Sequence, residues 1–149
     1  MTNIAQVKEK KMHGISYEDL KIGDEASFSK TVSEADIYHF AGITGDFNPL
    51  HVDKEFAKTT IFKERITHGI LTAGFISTVI GMKLPGINTI YLSQNLNFLA
   101  PVKIGDTVTA QVKVMEKKDQ KKIIRLQTIV KNQHDELVIN GEATVMKKD

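Results

Sequence analysis

The longest apolar segment of the chain runs from Gly69 to Met82 and contains no charged residue. We predict a helix there, ended by Pro85-Gly86. A helix that is apolar on every side is normally buried, so we expect other elements to wrap around it. At fourteen residues the segment is shorter than the roughly 20 residues that span a bilayer as a helix. We therefore expect no association with a membrane.

Alternating apolar and polar positions dominate the second half of the chain. In Thr107 to Met115 every second residue is apolar, namely Val108, Ala110, Val112 and Val114, which predicts a half-buried strand. Further strands are predicted at residues 26–32, 90–98, 123–130 and 137–146. Consecutive strands with short polar turns indicate an antiparallel meander, one face of which can cover the helix. The predicted class is α+β, in a single domain over residues 1–149 with an N-terminal tail at about 1–15.

A more polar segment connects the first predicted strand to the apolar helix. Ser33, with the acidic Asp36 three positions later, fits the start of a helix. Pro49 has no N–H to donate and pushes the preceding residue away from helical geometry. We therefore predict that Asp46 and His51 lie on a non-helical connection, which can turn both side chains toward one point.

Asp46 and His51 bring a carboxylate and an imidazole close together, and Gly69 begins a helix of small residues whose backbone N–H groups can face a ligand. A paired acid and base beside an anion-binding helix end is what proton transfer next to a carbonyl requires, and this favours an enzyme. Each residue also has an ordinary structural explanation. Asp46 could be a turn residue, and His51 and His68 could pack structurally. Asn48 is expected to hold the loop through its side-chain hydrogen bonds.

The composition excludes several other classes. With 41% hydrophobic and 26% charged residues and a net charge of +2, the chain resembles an ordinary globular domain and gives no sign of nucleic-acid binding. It has no cysteine, so a reducing compartment is expected, with the cytoplasm as the default. His39, His51, His68 and Asp46 lack the close spacing of metal ligands, so no metal is expected. Nucleotide-binding loops and a GxSxG elbow are absent.

Taken together, these residues resemble the hydratase-2 motif of the MaoC-like (R)-specific enoyl-CoA hydratases. The resemblance begins with Ser-Glu-Ala-Asp at residues 33–36 and Phe-Ala-Gly-Ile-Thr-Gly-Asp-Phe-Asn-Pro-Leu-His-Val-Asp at 40–53, and continues with His-Gly-Ile-Leu-Thr-Ala at 68–73 and Phe-Leu-Ala-Pro-Val-Lys-Ile-Gly-Asp at 98–106. It covers the chain from about residue 16 to the end. The departures are Thr44, where serine is common, and Lys54, where proline usually follows the aspartate.

The resemblance implies a hot-dog fold, in which an antiparallel sheet wraps around a central helix. It places the catalytic pair on Asp46 and His51 and the oxyanion donor on the backbone N–H of Gly69, with Ser77 in a supporting position. The implied reaction adds water to a trans-2-enoyl-CoA to give the (R)-3-hydroxyacyl-CoA. It requires no cofactor beyond the CoA or acyl-carrier-protein handle of the substrate.

Three alternatives remain open at this point. A dehydratase of (R)-3-hydroxyacyl thioesters on acyl carrier protein would use the same chemistry with a different handle. A hot-dog thioesterase is disfavoured because residues 69–82 contain no Asp or Glu. A non-catalytic acyl-thioester-binding subunit would need neither Asp46 nor His51.

We also expect a homodimer. One sheet over one helix leaves an exposed edge strand, and unprotected edges tend to pair. The segment from Tyr91 to Phe98 carries Asn95 and Asn97 rather than lysines, so it is our predicted edge. The resembling family also implies a dimer of two hot dogs.

Overall fold

The computed structural model describes residues 14–148, so nearly all of the predicted N-terminal tail lies outside the described residues. In chain order, the elements are β1 (Glu25–Thr31), α1 (Glu34–Thr44), α2 (Pro49–Val52), α3 (Lys54–Ala57), α4 (Gly69–Met82), β2 (Thr89–Gln94), β3 (Asn97–Phe98), β4 (Thr107–Lys118), β5 (Ile123–Lys131) and β6 (Leu137–Lys147). The six strands form one antiparallel sheet in the order β1-β4-β5-β6-β2, and β3 pairs with β6. The predicted α+β class with an antiparallel sheet is confirmed.

The strand predicted over residues 90–98 is divided into β2 and β3. At the break, the Asn95 N–H donates to the carbonyl oxygen of Glu142 (3.0 Å), and the Asn95 side-chain oxygen accepts from the Glu142 N–H (3.1 Å). Gly141 permits this approach, since a Cβ at that position would lie 2.0 Å from the Asn95 carbonyl oxygen. The regular alternation of the sequence gives no sign of such a contact between two backbones. As predicted, β2 is an outermost strand of the sheet.

The core lies between the sheet and one side of α4. Every second residue of β4 from Val108 to Val114 is buried, as the alternation predicts. The side of α4 that faces the sheet buries Thr72, Ile76, Val79 and Ile80. The opposite side is open, and Ile70 and Met82 are 58% and 68% exposed. The sheet therefore wraps one side of α4, as expected, while among the described residues the opposite side of the helix stays exposed.

The connection between α1 and α4 is more helical than predicted. Ser33 and Asp36 form the expected capping box at the start of α1. His51, however, lies in the short helix α2 and not on a loop. Pro49 occupies the first position of α2, where a missing N–H costs nothing because that N–H would have no partner within the helix. The Asn48 side chain accepts a hydrogen bond from the Leu50 N–H (3.1 Å) and caps this helix.

Across residues 14–148, none of the helices combines the length and the hydrophobicity that crossing a membrane requires.

Candidate active site

An apolar pocket of about 470 Å³ opens beside the N-terminus of α4. Its apolar walls include Phe62 and Ile66 from the segment before α4, Leu99 and Val102 from the segment after β3, and Ile139 of β6. His51 and Gly69 also line it. The structure thus brings two of the residues predicted from the sequence to the same cavity, although they are separated along the chain by α3 and the segment that follows it.

The imidazole of His51 is held in one orientation and one tautomer. His51 is only 8% exposed, and its Nδ1 lies 2.7 Å from the carbonyl oxygen of Ile66. A carbonyl can only accept, so Nδ1 carries the hydrogen and Nε2 keeps its lone pair. Burial lowers the pKa of His51 below the usual 6.5, and the neighbouring His68 lowers it further, whereas the hydrogen bond to Ile66 and the charge of Asp46 act in the opposite direction. At neutral pH, His51 is therefore an uncharged base.

Asp46 lies on the short loop between α1 and α2. Gly45 ends α1 in the left-handed conformation (φ 82°), which allows the chain to reverse at this point. The Asp46 N–H donates to Thr44 Oγ1 (3.2 Å), and Asp46 Oδ1 accepts from the Asn48 N–H (3.1 Å). A carboxylate oxygen of Asp46 and one ring nitrogen each from His51 and His68 all lie within 4.8 Å of one another. Asp46 is exposed, so its carboxylate can contact both solvent and His51.

His68 joins the two members of this pair, a role that the sequence did not reveal. It is only 2% exposed, and its ring stacks on that of His51 with 4.0 Å between centroids. Its Nε2 donates to the backbone carbonyl of Asp46 (3.0 Å), while Phe40 contacts the ring with a centroid distance of 4.7 Å. The Nδ1 atom is buried without a hydrogen-bond partner in the described part of the chain. His68 therefore contacts Asp46 and His51 at once.

Gly69 is the first residue of α4, and among the described residues its N–H makes no hydrogen bond to another backbone group. The first helical bond of α4 runs from the Thr72 N–H to the His68 carbonyl (3.2 Å), so the Gly69 N–H precedes the hydrogen-bonded part of the helix. A Cβ at Gly69 would lie 2.7 and 2.8 Å from two ring atoms of Phe98. Glycine is therefore the residue that fits under this aromatic ring. Ser77 lies on the exposed side of α4 and is not part of the pocket lining.

Asp46, His51 and His68 are close enough to be considered as metal ligands, but the two imidazoles are unfavourably oriented. Ligating lone pairs lie in the ring planes, and these planes are stacked at 29° to each other and 4.0 Å apart. One nitrogen of each ring is also engaged with a backbone carbonyl. The cluster therefore suits the binding of water better than a tetrahedral metal site.

The chain belongs to the family of the MaoC like domain, which matches residues 19–136. An (R)-specific enoyl-CoA hydratase from Rhodospirillum rubrum is 53% identical over 130 residues, which cover 87% of this chain and 90% of that protein. A 3-hydroxybutyryl-CoA dehydratase from Methylorubrum extorquens is 46% identical over 129 residues, covering 87% and 82%.

The solved structure of the unliganded R-hydratase PhaJ1 from Pseudomonas aeruginosa is similar to this fold with a TM-score of 0.85. It is 41% identical in sequence, and the match covers 90% of this chain and 86% of that one. The resemblance to MaoC-like hydratases and the hot-dog fold are thus confirmed.

Proposed function

We propose that this protein is an (R)-specific enoyl-CoA hydratase, which adds water to a trans-2-enoyl-CoA and also catalyses the reverse dehydration. The observation that carries this proposal is one apolar pocket lined by both His51 and Gly69, with a carboxylate oxygen of Asp46 within 4.8 Å of a ring nitrogen of His51. An apolar cavity with a few polar groups at one end suits an acyl chain with a reactive head. The names of the two relatives support the CoA thioester as substrate, and the R. rubrum relative supports the (R) product.

In the mechanism that we propose, one water molecule lies between Asp46 and His51. His51 Nε2 accepts a proton from this water while its oxygen forms a bond to C3 of the substrate. The electrons of the C2–C3 double bond move toward the thioester, and His51 then returns the proton to C2 on the same face. Asp46 accepts a hydrogen bond from the second O–H of the water, which stays intact and becomes the hydroxyl of the product, and its charge stabilises the imidazolium while it exists. The lowered pKa of His51 keeps it ready to accept the proton at neutral pH.

The amide of Gly69 is proposed to stabilise the enolate that forms between these two steps. Negative charge then develops on the thioester oxygen, and an unpaired N–H at the start of a helix is a suitable donor for it. The absence of a side chain at Gly69 allows the thioester to approach beside Phe98. All the atoms added to the substrate come from water, so the chemistry needs no redox or group-transfer cofactor.

We further propose that the working unit is a homodimer in the cytoplasm. Three features support the dimer: the outermost position of β2, the exposure of its Tyr91 and Leu92 (40% and 49%), and the open side of α4. A second copy that pairs along β2 would cover apolar surface that a single chain leaves in water. Ser77 lies on the open side of α4, so its proposed supporting role depends on what covers this side. The absence of cysteine is compatible with a reducing compartment.

The decisive experiment is to incubate the purified protein with trans-2-enoyl-CoA thioesters of short and medium chain length and to resolve the product by chirality. We expect the (R)-3-hydroxyacyl-CoA. Exclusive (S) product, or release of free CoA without hydration, would refute the proposal.

A further inference from the structure

A second cavity of about 280 Å³ lies close to the apolar pocket and is lined mainly by positive side chains. We call it the cationic groove, and its lining consists of Lys54, Lys58, Lys63, Glu64, Arg65 and Ile104. Four cations and one anion give this lining a formal charge of +3, whereas the whole chain carries only +2. The groove is therefore a local concentration of positive charge.

The groove and the apolar pocket share a wall. Along residues 62–66, Phe62 and Ile66 line the apolar pocket, while the three residues between them line the groove. A backbone bridge between Ile66 and Lys103 ties this segment to the one that contributes Val102 to the pocket and Ile104 to the groove. A ligand whose head lies in the pocket can therefore extend toward the groove.

Some of the charges around the groove are already engaged. The Arg65 guanidinium bonds to Glu34 (2.7 Å) and to the Tyr38 hydroxyl (2.8 Å). Lys58 pairs with Glu55 (2.9 Å), and Glu64 of the lining pairs with Lys103 (3.1 Å).

Lys54 and Lys63 differ from these residues because they form no ion pair among the residues that the structure describes. Both are exposed, and within residues 14–148 neither has a carboxylate at ion-pair distance. The pKa of Glu34 is lowered, chiefly by its hydrogen bond to Arg65 and to a smaller extent by Lys54. These two lysines therefore present charge to the groove without a partner that neutralises it directly.

We propose that the cationic groove binds the phosphate groups at the nucleotide end of the CoA thioester, with Lys54 and Lys63 as the principal contacts. The inference rests on the proposed function and extends it to the handle of the substrate. In CoA, the extended pantetheine arm separates the thioester from the phosphates, so phosphate contacts are needed outside the acyl pocket. Ammonium groups without an ion-pair partner in a concave site suit compact, multiply charged phosphates.

The test compares two substrates, crotonyl-CoA and crotonyl-pantetheine, which carry the same reactive group with and without phosphates. We expect the Lys54→Glu/Lys63→Glu double variant to lose about tenfold in kcat/KM with crotonyl-CoA, mostly through KM, because exposed charge pairs contribute modestly and additively. Activity with crotonyl-pantetheine should not change. Added salt should reduce the difference in kcat/KM with crotonyl-CoA between the wild type and the variant, because salt screens exposed charges.

Lys121→Glu is the matched control. Lys63 and Lys121 are both exposed lysines with φ 62°, so glutamate must adopt the same left-handed backbone conformation at either position. Lys121, however, lines neither cavity. This variant should behave like wild type with both substrates. Adenosine 3′,5′-bisphosphate, which has no thioester, provides a second measurement. It should inhibit the wild-type protein in competition with crotonyl-CoA and should inhibit the double variant at least several-fold more weakly.

Unchanged kinetics with crotonyl-CoA in a folded double variant, or an equal loss with both thioesters, would overturn the assignment. A loss confined to a crotonyl thioester on acyl carrier protein would overturn it as well and would assign the groove to a protein handle. If the wild-type protein hydrated neither small thioester, the proposed function would fail, but binding of adenosine 3′,5′-bisphosphate would still show whether the groove takes phosphates.

Discussion

His68 is the residue whose substitution best tests the description of the site, because it contacts both Asp46 and His51 without lining the pocket. We predict that His68→Leu lowers kcat while leaving KM nearly unchanged and the protein at least nearly as stable as the wild type. Leucine has a similar volume and remains apolar, but it cannot donate to the Asp46 carbonyl. His68→Gln is the conservative companion, since its amide can still donate at about the position of Nε2.

His68→Leu should not destabilise the protein much, because two effects of the substitution on stability oppose each other. Loss of the hydrogen bond to Asp46 costs about 0.5–1.5 kcal/mol. Removal of the buried Nδ1, which has no partner among the described residues, recovers a desolvation penalty of about 1–3 kcal/mol. On these figures, the free energy of unfolding of His68→Leu should lie between about 0.5 kcal/mol below and about 2.5 kcal/mol above that of the wild type.

The expected change in catalysis is larger because Asp46 lies on a loop whose backbone carbonyl is anchored by His68. A displacement of a reacting group by about 1 Å can lower a rate by about 10²-fold. We therefore expect kcat to fall by about 10- to 100-fold, with partial recovery in His68→Gln. The pKa of His51 should also rise, because leucine preserves the burial but removes the neighbouring imidazole that helps to lower it. A base with a higher pKa is protonated at higher pH, so the acidic limb of the activity profile should move to higher pH.

The assay is steady-state hydration of crotonyl-CoA over a range of pH, followed by the loss of the conjugated enoyl absorbance, together with urea unfolding of each variant. NMR titration of the His51 ring measures its pKa directly. A folded His68→Leu variant with wild-type kcat would refute the positioning role. Equal losses of activity in the leucine and glutamine variants, with the His51 titration unchanged, would show that the hydrogen bond donated to the Asp46 carbonyl is not what positions the pair.

Four further predictions concern the same site and the assembly. Asp46→Ala and His51→Ala should each lower turnover by about 10²–10⁴-fold. The double variant should be scarcely less active than the poorer single variant, because both residues act on one water. A double variant whose loss equals the product of the two single losses would contradict this. Gly69→Ala should lower kcat, because the new Cβ would lie within 2.8 Å of the Phe98 ring. Adding Phe98→Ala to this variant should restore part of the rate. An unchanged kcat in Gly69→Ala would refute the idea that the Phe98 ring requires glycine at position 69. Sedimentation at low concentration should give twice the chain mass of 16.6 kDa, and a fully active single chain would show the interface to be dispensable. The free energy of unfolding should fall as the pH is lowered through 6.5, the usual histidine pKa, because there the unfolded chain binds a proton that folded His51 does not. Urea unfolding of His51→Gln should show a smaller fall with pH. An identical pH dependence in this variant and the wild type would exclude His51 as the cause.

The elements of the fold were predictable where side-chain periodicity reflects burial. The strand from Thr107 and the helix from Gly69 to Met82 were found in this way, because a regular alternation or an uncharged run records which faces meet the core. The alternation of apolar and polar residues was misleading over residues 90–98, where the backbone of one strand contacts that of another. The break between β2 and β3 depends on the approach of Asn95 to Gly141, which lie far apart in the sequence. The open side of α4 was missed because hydrophobicity indicates burial but does not say whether the same chain provides it.

The site was only partly predictable for a related reason. Asp46, Asn48 and His51 belong to one short motif, and Gly69 begins an obvious helix, so their residue types and spacing indicated their chemistry. The helical geometry of His51 was mistaken because Pro49 was taken to break a helix, although it begins one. His68 could not be assigned, because a histidine beside a glycine is not distinctive. Its contacts with Asp46 and His51 arise only when α4 packs beside the loop before α2.

The hydrogen bonds that hold this site are made largely to backbone atoms, and this arrangement has a chemical consequence. His51 donates to the carbonyl of Ile66, and His68 donates to the carbonyl of Asp46 rather than to its carboxylate. Orientation is therefore fixed without using the Nε2 lone pair of His51, and the carboxylate of Asp46 accepts only the Asn48 N–H among the described residues. Groups that are fixed in position but retain unused lone pairs can hold a water molecule and exchange a proton with it without first breaking an internal hydrogen bond. Stacking of His68 on His51 adds a further constraint, since a second positive charge beside the first would be unfavourable. The backbone contacts thus set the geometry of the pair, while burial and the stacked ring keep its base uncharged.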